Sequence, residues 1–249
     1  MRRALTAAIL VAAAASIPGA AAGRGIGLSA SPLRLTLRGS SAAVVTVRNP
    51  GRETLRVDIS RAGFARSLSG RPRVRREGVT WLRLRPRRFR IAPGAKVTLH
   101  VAARPPRNAT PGDHPALALL TTRPLGVHRV RLRLRVGVIV VLRIRGRIVR
   151  RVEARSLAVR HVGPERMLEL LLVNRGNVTE RLGDDRLRLV LARGGRVFAT
   201  LRPRGRELLP HSAGIAEFAY RGRIRGDVFA RIEVRPAVHG PKRVFHVRL

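Results

Sequence analysis

The sequence predicts an all-β protein in which two tandem immunoglobulin-like β-sandwich domains follow a cleaved signal peptide. Three observations support this fold class: apolar residues recur at every second position, the same turn residues recur in both halves of the chain, and no stretch has a helical period. Strands of this length, separated by turns that contain Gly and Pro, are typical of the immunoglobulin type of sandwich.

The start of the chain has the layout of a signal peptide. Arg2 and Arg3 supply the positive beginning, residues 5–17 form an apolar run too short to span a membrane, and small residues follow up to Ala22. We therefore expect residues 1–22 to be cleaved, with no transmembrane anchor. The protein would then be exported to the bacterial cell envelope or the extracellular space, which means the periplasm in a cell with two membranes. Because the chain has no cysteine, disulfide bonds cannot stabilise the exported domains.

Residues 24–142 are predicted to form the first sandwich domain from seven strands. Six of these strands are short and lie at residues 33–37, 43–47, 55–59, 82–84, 97–101 and 116–120. In the first five, apolar side chains alternate with side chains that are polar except at Val44, which turns one face towards a core and the other towards solvent. The sixth is apolar on both faces, as expected of a central strand.

The seventh strand is predicted to be unusually long, from residue 130 to residue 144, and to bend near Gly137 into the second domain. Its even positions are apolar without a break, whereas its odd positions change from arginine to apolar residues and back. Two-sided apolar character is typical of a buried strand. We therefore interpret its middle either as interdomain core or as a patch where a partner protein adds a β-strand. This patch consists of Val136, Val138, Ile139, Val140 and Val141.

Four arginines precede the patch at alternate positions, and we expect them to bind an anionic polymer. They are Arg129, Arg131, Arg133 and Arg135. The whole chain has a formal net charge of +38, and such a field attracts wall phosphates, acidic glycans or anionic lipid headgroups. Nucleic acid is disfavoured as a partner, because the chain is predicted to be exported and its aromatic content of 3% is low for a base-stacking platform.

Residues 146–249 are predicted to form the second sandwich domain, whose turns repeat those of the first. The sequence Asn-Pro-Gly at 49–51 recurs as Asn-Arg-Gly at 174–176, and a Gly-Asp turn that ends at Asp113 recurs at Asp227. We expect both aspartates to cap the backbone of their turns, since a short acceptor side chain commonly does so.

The sequence contains no catalytic, cofactor-binding or metal-binding motif. It has no Gly-x-Ser-x-Gly elbow, no cysteine nucleophile, and no His-Glu-x-x-His or other paired-histidine spacing suited to zinc. We therefore expect a non-enzymatic binding or structural protein that uses neither a cofactor nor a metal ion.

The turn residues after Trp81 resemble those of bacterial WxL-interacting surface proteins. In that family a tryptophan, an apolar-Pro-Gly turn, a strand, a Pro-rich link and a Pro-Gly-Asp turn follow one another. Here these features are Trp81, residues 91–94, residues 97–101, residues 105–106 and residues 111–113. The resemblance implies two immunoglobulin-like domains, of which the first binds peptidoglycan and the second a surface partner. An anionic cell-wall polymer or peptidoglycan is therefore our first expected ligand.

A more distant resemblance is to periplasmic pilus chaperones, which also have two immunoglobulin-like domains joined by a long last strand. Residues 33–37 resemble their first strand, on which an arginine helps to clamp the terminal carboxylate of a pilus subunit, and Arg34 occupies a comparable position. A lysine of the long strand completes that clamp, whereas the long strand here has no lysine. This resemblance implies an alternative function, in which the protein assembles a pilus or surface subunit by β-strand addition.

Overall fold

The computed structural model describes residues 27–76, 78–123, 133–163, 165–183, 186–203, 205–222, 227–234 and 244–248. Every regular element in these ranges is a β-strand, and the strands form several sheets, which confirms the predicted all-β sandwich class. No helix within these ranges is long and apolar enough to cross a membrane. The predicted signal peptide at residues 1–22 lies outside the described residues, as do Arg129 and Arg131.

The first half of the chain forms two sheets that face each other. Its described strands are β1 (Ser29–Ser31), β2 (Arg34–Arg38), β3 (Ala42–Arg48), β4 (Leu55–Arg66), β5 (Pro72–Arg75), β6 (Leu82–Arg85), β7 (Arg88–Ile91), β8 (Lys96–Ala103), β9 (Gly112–Thr122) and β10 (Arg135–Ile144). One sheet has the order β1-β3-β8-β6, and the other has the order β2-β10-β9-β4-β5, with β7 also paired to β4. The six predicted short strands are present, and β1, β5 and β7 are additional to them.

The two sheets enclose a hydrophobic core because each contributes its alternate apolar positions. Val45 and Leu99 are fully buried from one sheet, and Val138 and Val140 are fully buried from the other. Thr46, next to Val45 in the sequence, points outwards and is exposed. Burial of each such aliphatic side chain stabilises the fold by about 1.5–3 kcal/mol.

The chain changes sheets between β1 and β2, and this change determines what surrounds β10. β1 pairs antiparallel with β3, whereas β2 pairs in parallel with the second half of β10, from Ile139 onwards. β10 pairs antiparallel with β9 along its whole length, without a register shift at Gly137. The prediction that this strand continues into the second domain is therefore wrong: its unbroken ladder to β9 keeps it in the first sandwich, where it ends at Ile144.

The second half of the chain forms further sheets around a core of its own. Its described strands are β11 (Val152–Val162), β12 (Glu165–Asn174), β13 (Glu180–Leu182), β14 (Leu187–Arg193), β15 (Arg196–Leu201), β16 (Arg206–Leu208), β17 (Ala213–Tyr220), β18 (Asp227–Val234) and β19 (Val244–Arg248). The sheets have the orders β11-β12-β17, β13-β16 and β15-β14-β18-β19. Leu170, Leu189 and Phe218 are fully buried in this core. The boundaries predicted at 24–142 and 146–249 remain predictions.

Two buried asparagines, Asn49 and Asn174, make the same hydrogen bonds in the two halves. Each Oδ1 accepts the main-chain N–H two positions later at 2.9 Å, and each Nδ2 donates to the carbonyl four positions later, at 2.7 and 2.8 Å. Each Nδ2 also donates to a carbonyl just before a later turn, that of Ile91 in the first half and that of Leu208 in the second. The repeated turn residues of the sequence therefore form a repeated structure.

Candidate partner-binding edge and arginine cavity

Half of one edge of β10 has no strand partner among the described residues. β9 covers the opposite edge throughout, and β2 covers this edge only from Ile139 onwards, where the Ile139 N–H donates to the Leu33 carbonyl at 2.9 Å. Alternate residues of a strand direct their main-chain groups to the same edge, so Arg135 and Gly137 direct theirs to the open part. An unpaired edge of this kind is where another strand can add.

The side chains of the predicted partner-strand patch are largely packed inside the molecule. Val138, Val140 and Val141 are buried, and Val136 packs against the first core. Ile139 lies on the opposite face, where it packs against a cluster that joins the two halves of the chain. This cluster consists of Ala62, Phe64, Leu117, Leu119 and Leu209. The part of β10 that stays free is therefore its main chain, not the apolar side chains of the patch.

The predicted polyanion-binding arginines are described only in part. Arg133 and Arg135 are exposed, and neither has an ion-pair partner among the described residues. Arg135 begins β10 and Arg133 lies two residues before it, so both are near the open part of its edge.

A cavity of about 610 Å³ lies between the outer face of β2 and β10 and the second half of the chain. Its lining is dominated by arginines, namely Arg34, Arg38, Arg143, Arg150, Arg181 and Arg186. β2 and β10 direct their apolar alternate residues into the core, so the intervening arginines point into the cavity. Guanidinium groups at this density favour an anionic ligand, to which each can donate charge-assisted hydrogen bonds.

Asp113 and Arg143 form a bidentate ion pair at one side of the cavity. Arg143 Nε and Nη2 donate to the two carboxylate oxygens at 2.6 and 2.8 Å, and the main-chain N–H of Thr179 donates to the same carboxylate at 2.8 Å. Burial opposes ionisation of Asp113, but the hydrogen bonds from Arg143 and Thr179 and the charge of Arg143 outweigh it and lower the pKa of the carboxyl. The hydrogen bond to Asp113 raises the pKa of Arg143.

Glu207 of β16 binds arginines from the other half of the chain. Its carboxylate lies 2.7 Å from Arg34 Nη2 and 2.8 Å from Arg66 Nη2, and its side chain is 13% exposed. Arg34 therefore already has an internal anionic partner. Its Nε, by contrast, is buried without a hydrogen-bond partner among the described residues.

Main-chain contacts complete the junction between the two halves. The Asp113 N–H donates to the Asn177 carbonyl at 2.8 Å, and the Ile215 N–H donates to the Leu68 carbonyl at the same distance. Gly112 has a φ of +122°, and a Cβ there would lie 2.2 Å from the Asn177 carbonyl oxygen. A glycine is therefore required at this close approach.

The prediction that Asp113 caps its own turn is wrong. Its side chain instead joins β9 to β10 through Arg143 and reaches the second half of the chain at Thr179. Asp113 is paired with Arg143 in the β9–β10 register, so its carboxylate lies next to that guanidinium group. The side chain of its sequence counterpart, Asp227, lies outside the described structure.

No group of three or more His, Cys, Asp or Glu side chains that could hold a metal ion occurs among the described residues. The acidic side chains at the cavity are instead bound by arginine, as Asp113 is by Arg143 and Glu180 by Arg150 at 2.8 Å. The arginines that line the cavity are suited to binding an anion through their guanidinium groups.

No protein-family model matches the sequence, and no curated protein matches it. Solved structures do match. A chain of the chaperone–tip adhesin complex of CFA/I fimbriae biogenesis aligns with a TM-score of 0.50 and 10% identity, over 88% of this chain and 98% of that chain. The class 5 fimbriae chaperone CfaA aligns with a TM-score of 0.50 and 10% identity, over 90% of this chain and 100% of that chain.

These similarities concern the fold. Over most of its length the chain has the all-β architecture found in pilus chaperones. The more distant of the two resemblances in the sequence is thus supported at the level of fold. The resemblance to WxL-interacting proteins is not supported by any of these comparisons.

Proposed function

We propose that this protein is a non-enzymatic, exported assembly factor that binds a pilus or surface subunit by β-strand addition at β10. The observation that carries the proposal is the half-paired edge, at which the main-chain groups of Arg135 and Gly137 have no strand partner among the described residues. The fold shared with the fimbriae chaperone CfaA is in keeping with this function.

The position of β2 limits how far an added strand can extend along β10. β2 begins opposite Ile139, so a strand on the open edge would lie in line with β2 and end where β2 begins. If the added strand runs in the direction of β10, its C-terminus meets Arg34, which lines the arginine cavity. A subunit that binds through its last strand would therefore bring a terminal carboxylate to this guanidinium group.

The charge balance of the cavity supports binding of such a carboxylate. Six arginines line it, and their acidic partners are Asp113, Glu180 and Glu207. A hydrogen bond to a charged group contributes about 1.5–3 kcal/mol, so the terminal carboxylate would add roughly tenfold or more to the affinity.

Two synthetic peptides test this proposal by isothermal titration. Both alternate valine and threonine, and they differ only in ending with a free carboxylate or with an amide. We expect the carboxylate form to bind about tenfold or more tightly than the amide form. Equal affinities would contradict the role of the cavity, and the absence of binding by both would contradict strand addition.

A pair of substitutions at Gly137 tests the role of the open edge itself. Gly137→Pro removes the N–H that points to the open edge, whereas Gly137→Ala keeps it, and the new Cβ meets Leu117 and Leu119 only at ordinary contact distances of 3.6 and 3.7 Å. We expect the proline variant to lose peptide binding and the alanine variant to keep it. Equal binding by both variants would argue against main-chain pairing.

A second candidate function is to hold an anionic wall polymer or peptidoglycan through the arginine series that ends at Arg133 and Arg135. The exposure of these two side chains, their lack of ion-pair partners among the described residues and the net charge of +38 support it. Retention on purified cell wall that weakens steeply as salt rises is expected if this function holds. Equal retention at low and high salt would contradict it.

A further inference from the structure

The outward face of the β1-β3-β8-β6 sheet differs in charge from the other sheets of the described structure. None of its four strands contains an aspartate or a glutamate, whereas each of the other sheets contains at least one. We name its outward side chains the acid-free face. Its basic members are Arg48, Arg83, Arg85, Lys96 and His100, all of which are exposed.

The register places cations of this face directly beside one another. Arg48 of β3 is directly opposite Lys96 of β8, and both side chains are exposed. Like charges directly opposite each other on one face of a sheet are unfavourable. An external anion that lies between them would relieve this repulsion.

No carboxylate of the described chain neutralises the face. Arg48, Arg83, Arg85 and Lys96 have no ion-pair partner among the described residues, and Arg83 donates instead to the Thr80 carbonyl at 2.8 Å. Acidic residues elsewhere in the chain commonly form ion pairs with arginines. Glu153, for example, lies within 4 Å of three of them. The acid-free face is therefore a place where cations remain available to a partner.

The surroundings of these cations favour a flat, phosphate-bearing partner. Side chains stand roughly perpendicular to a sheet, so the cations form a layer about 20 Å long between the Lys96 end and the Arg83 end. Between them lie the hydroxyls of Thr46 and Thr98 and the aliphatic side chain of Val44, which is 51% exposed. No phenylalanine, tyrosine or tryptophan lies among the outward residues of these strands to stack on a base or a sugar.

We propose that the acid-free face docks onto the surface of an anionic lipid bilayer, with its cations on the lipid phosphates and Val44 at the headgroup level. The face lies on the side of the first sandwich away from β10 and the arginine cavity, because the hydrophobic core separates the two sheets. A docked molecule therefore keeps its open edge free. The proposal does not depend on strand addition, and a failure of either leaves the other intact.

Cosedimentation with vesicles tests the docking. The vesicles are phosphatidylcholine alone, or phosphatidylcholine with about one-third phosphatidylglycerol. The chain should bind the anionic vesicles and not the neutral ones. Each lysine or arginine near an anionic surface is worth roughly a fivefold change in affinity, so Arg48→Glu with Lys96→Glu should weaken binding about 25-fold or more. Equal binding to both vesicle types would overturn the proposal.

A matched double variant separates the face from the bulk charge of the chain. Arg193 and Arg196 are also exposed and directly opposite each other, on the β14–β15 hairpin. Arg193→Glu with Arg196→Glu changes the net charge by the same amount and should leave vesicle binding within about twofold. A loss as large as that of the face variant would overturn the proposal.

Two further measurements keep the test decisive. If the double glutamate variant fails to fold, Arg48→Gln with Lys96→Gln removes the cations without reversing their charge and should still weaken vesicle binding about 25-fold.

Soluble polyphosphate distinguishes a lipid surface from a phosphate polymer. If the face variant loses polyphosphate binding but keeps vesicle binding, the face binds a polymer and the proposal is overturned.

Discussion

Asp113 and Arg143, direct neighbours across the β9–β10 ladder, form an ion pair that also holds the second half of the chain. Arg143 donates to both oxygens of the carboxylate at 2.6 and 2.8 Å, and Thr179 donates its N–H to the same carboxylate from the other half at 2.8 Å. The strand with the open edge is thereby tied to the second half of the chain through one buried side chain.

Loss of the Asp113 charge should destabilise the protein. We expect Asp113→Asn to lower the free energy of unfolding by about 1–3 kcal/mol, because Arg143 and the Thr179 N–H lose a charged acceptor at a largely buried position. Denaturant unfolding measures the change. Asp58→Asn is the control, since that carboxylate is 44% exposed between Arg88 and Arg123, and it should cost at most about 1 kcal/mol. Equal losses in the two variants would contradict this account of the pair.

The same carboxylate should make stability depend on pH at the acidic end. The folded-state pKa of Asp113 lies below its ordinary value. Its contribution to the free energy of unfolding is therefore fully present when the pH is above that ordinary value. That contribution is lost as the pH falls through the ordinary value towards the lower folded-state pKa. On acidification below about pH 4, the native chain should therefore lose stability more steeply than the Asp113→Asn variant. Parallel stability curves for the two proteins would be the contrary result.

Glu207 should compete with an external carboxylate for Arg34. We expect Glu207→Gln to raise the affinity for the carboxylate-ended peptide by roughly threefold to tenfold, since Arg34 and Arg66 lose their internal anion. The affinity for the amide-ended peptide should not change. Glu169→Gln, which removes a more exposed ion pair with Arg160, is the matched control and should alter neither affinity. A gain for both peptides would show that the effect is not specific to the terminal carboxylate.

The two buried asparagines should have comparable energetic roles. Asn49→Ala and Asn174→Ala each leave buried carbonyls and one N–H without their partner, so each should lower the free energy of unfolding by at least about 2 kcal/mol. Chemical denaturation of the two variants provides the comparison. If one substitution were nearly neutral, the two turns would not be equivalent.

Much of the strand pattern could be predicted from the sequence, because period-two burial leaves a direct mark on residue order. The alternation around Val45 and around Leu99 predicted strands that the structure contains, and the repeated asparagine turns correspond to repeated hydrogen bonds. The short strand β5 was not predicted. All of its residues are exposed, so its sequence is not constrained to alternate between core-facing and solvent-facing residues.

The candidate site was harder to predict because it depends on which strands become neighbours. Ile139 and Val141 indicated a two-sided apolar strand, but only the register shows that β2 covers β10 from Ile139 onwards and leaves the part before it open. The roles of Arg143 and Glu207 had no local sequence signal among the many arginines and the scattered acidic residues. Their partners, Asp113 and Arg34, are 30 and 173 positions away.

Amide hydrogen exchange at Gly137 tests the central claim most directly, with Ile139 as the internal reference. Without peptide, the Gly137 N–H should exchange rapidly and the Ile139 N–H slowly, because only the latter has a hydrogen-bond acceptor, the Leu33 carbonyl just before β2. At saturation with the carboxylate-ended peptide, exchange at Gly137 should slow by at least about tenfold while Ile139 stays slow. A Gly137 amide that is already protected without peptide, or that stays unprotected at saturation, would contradict strand addition at this edge.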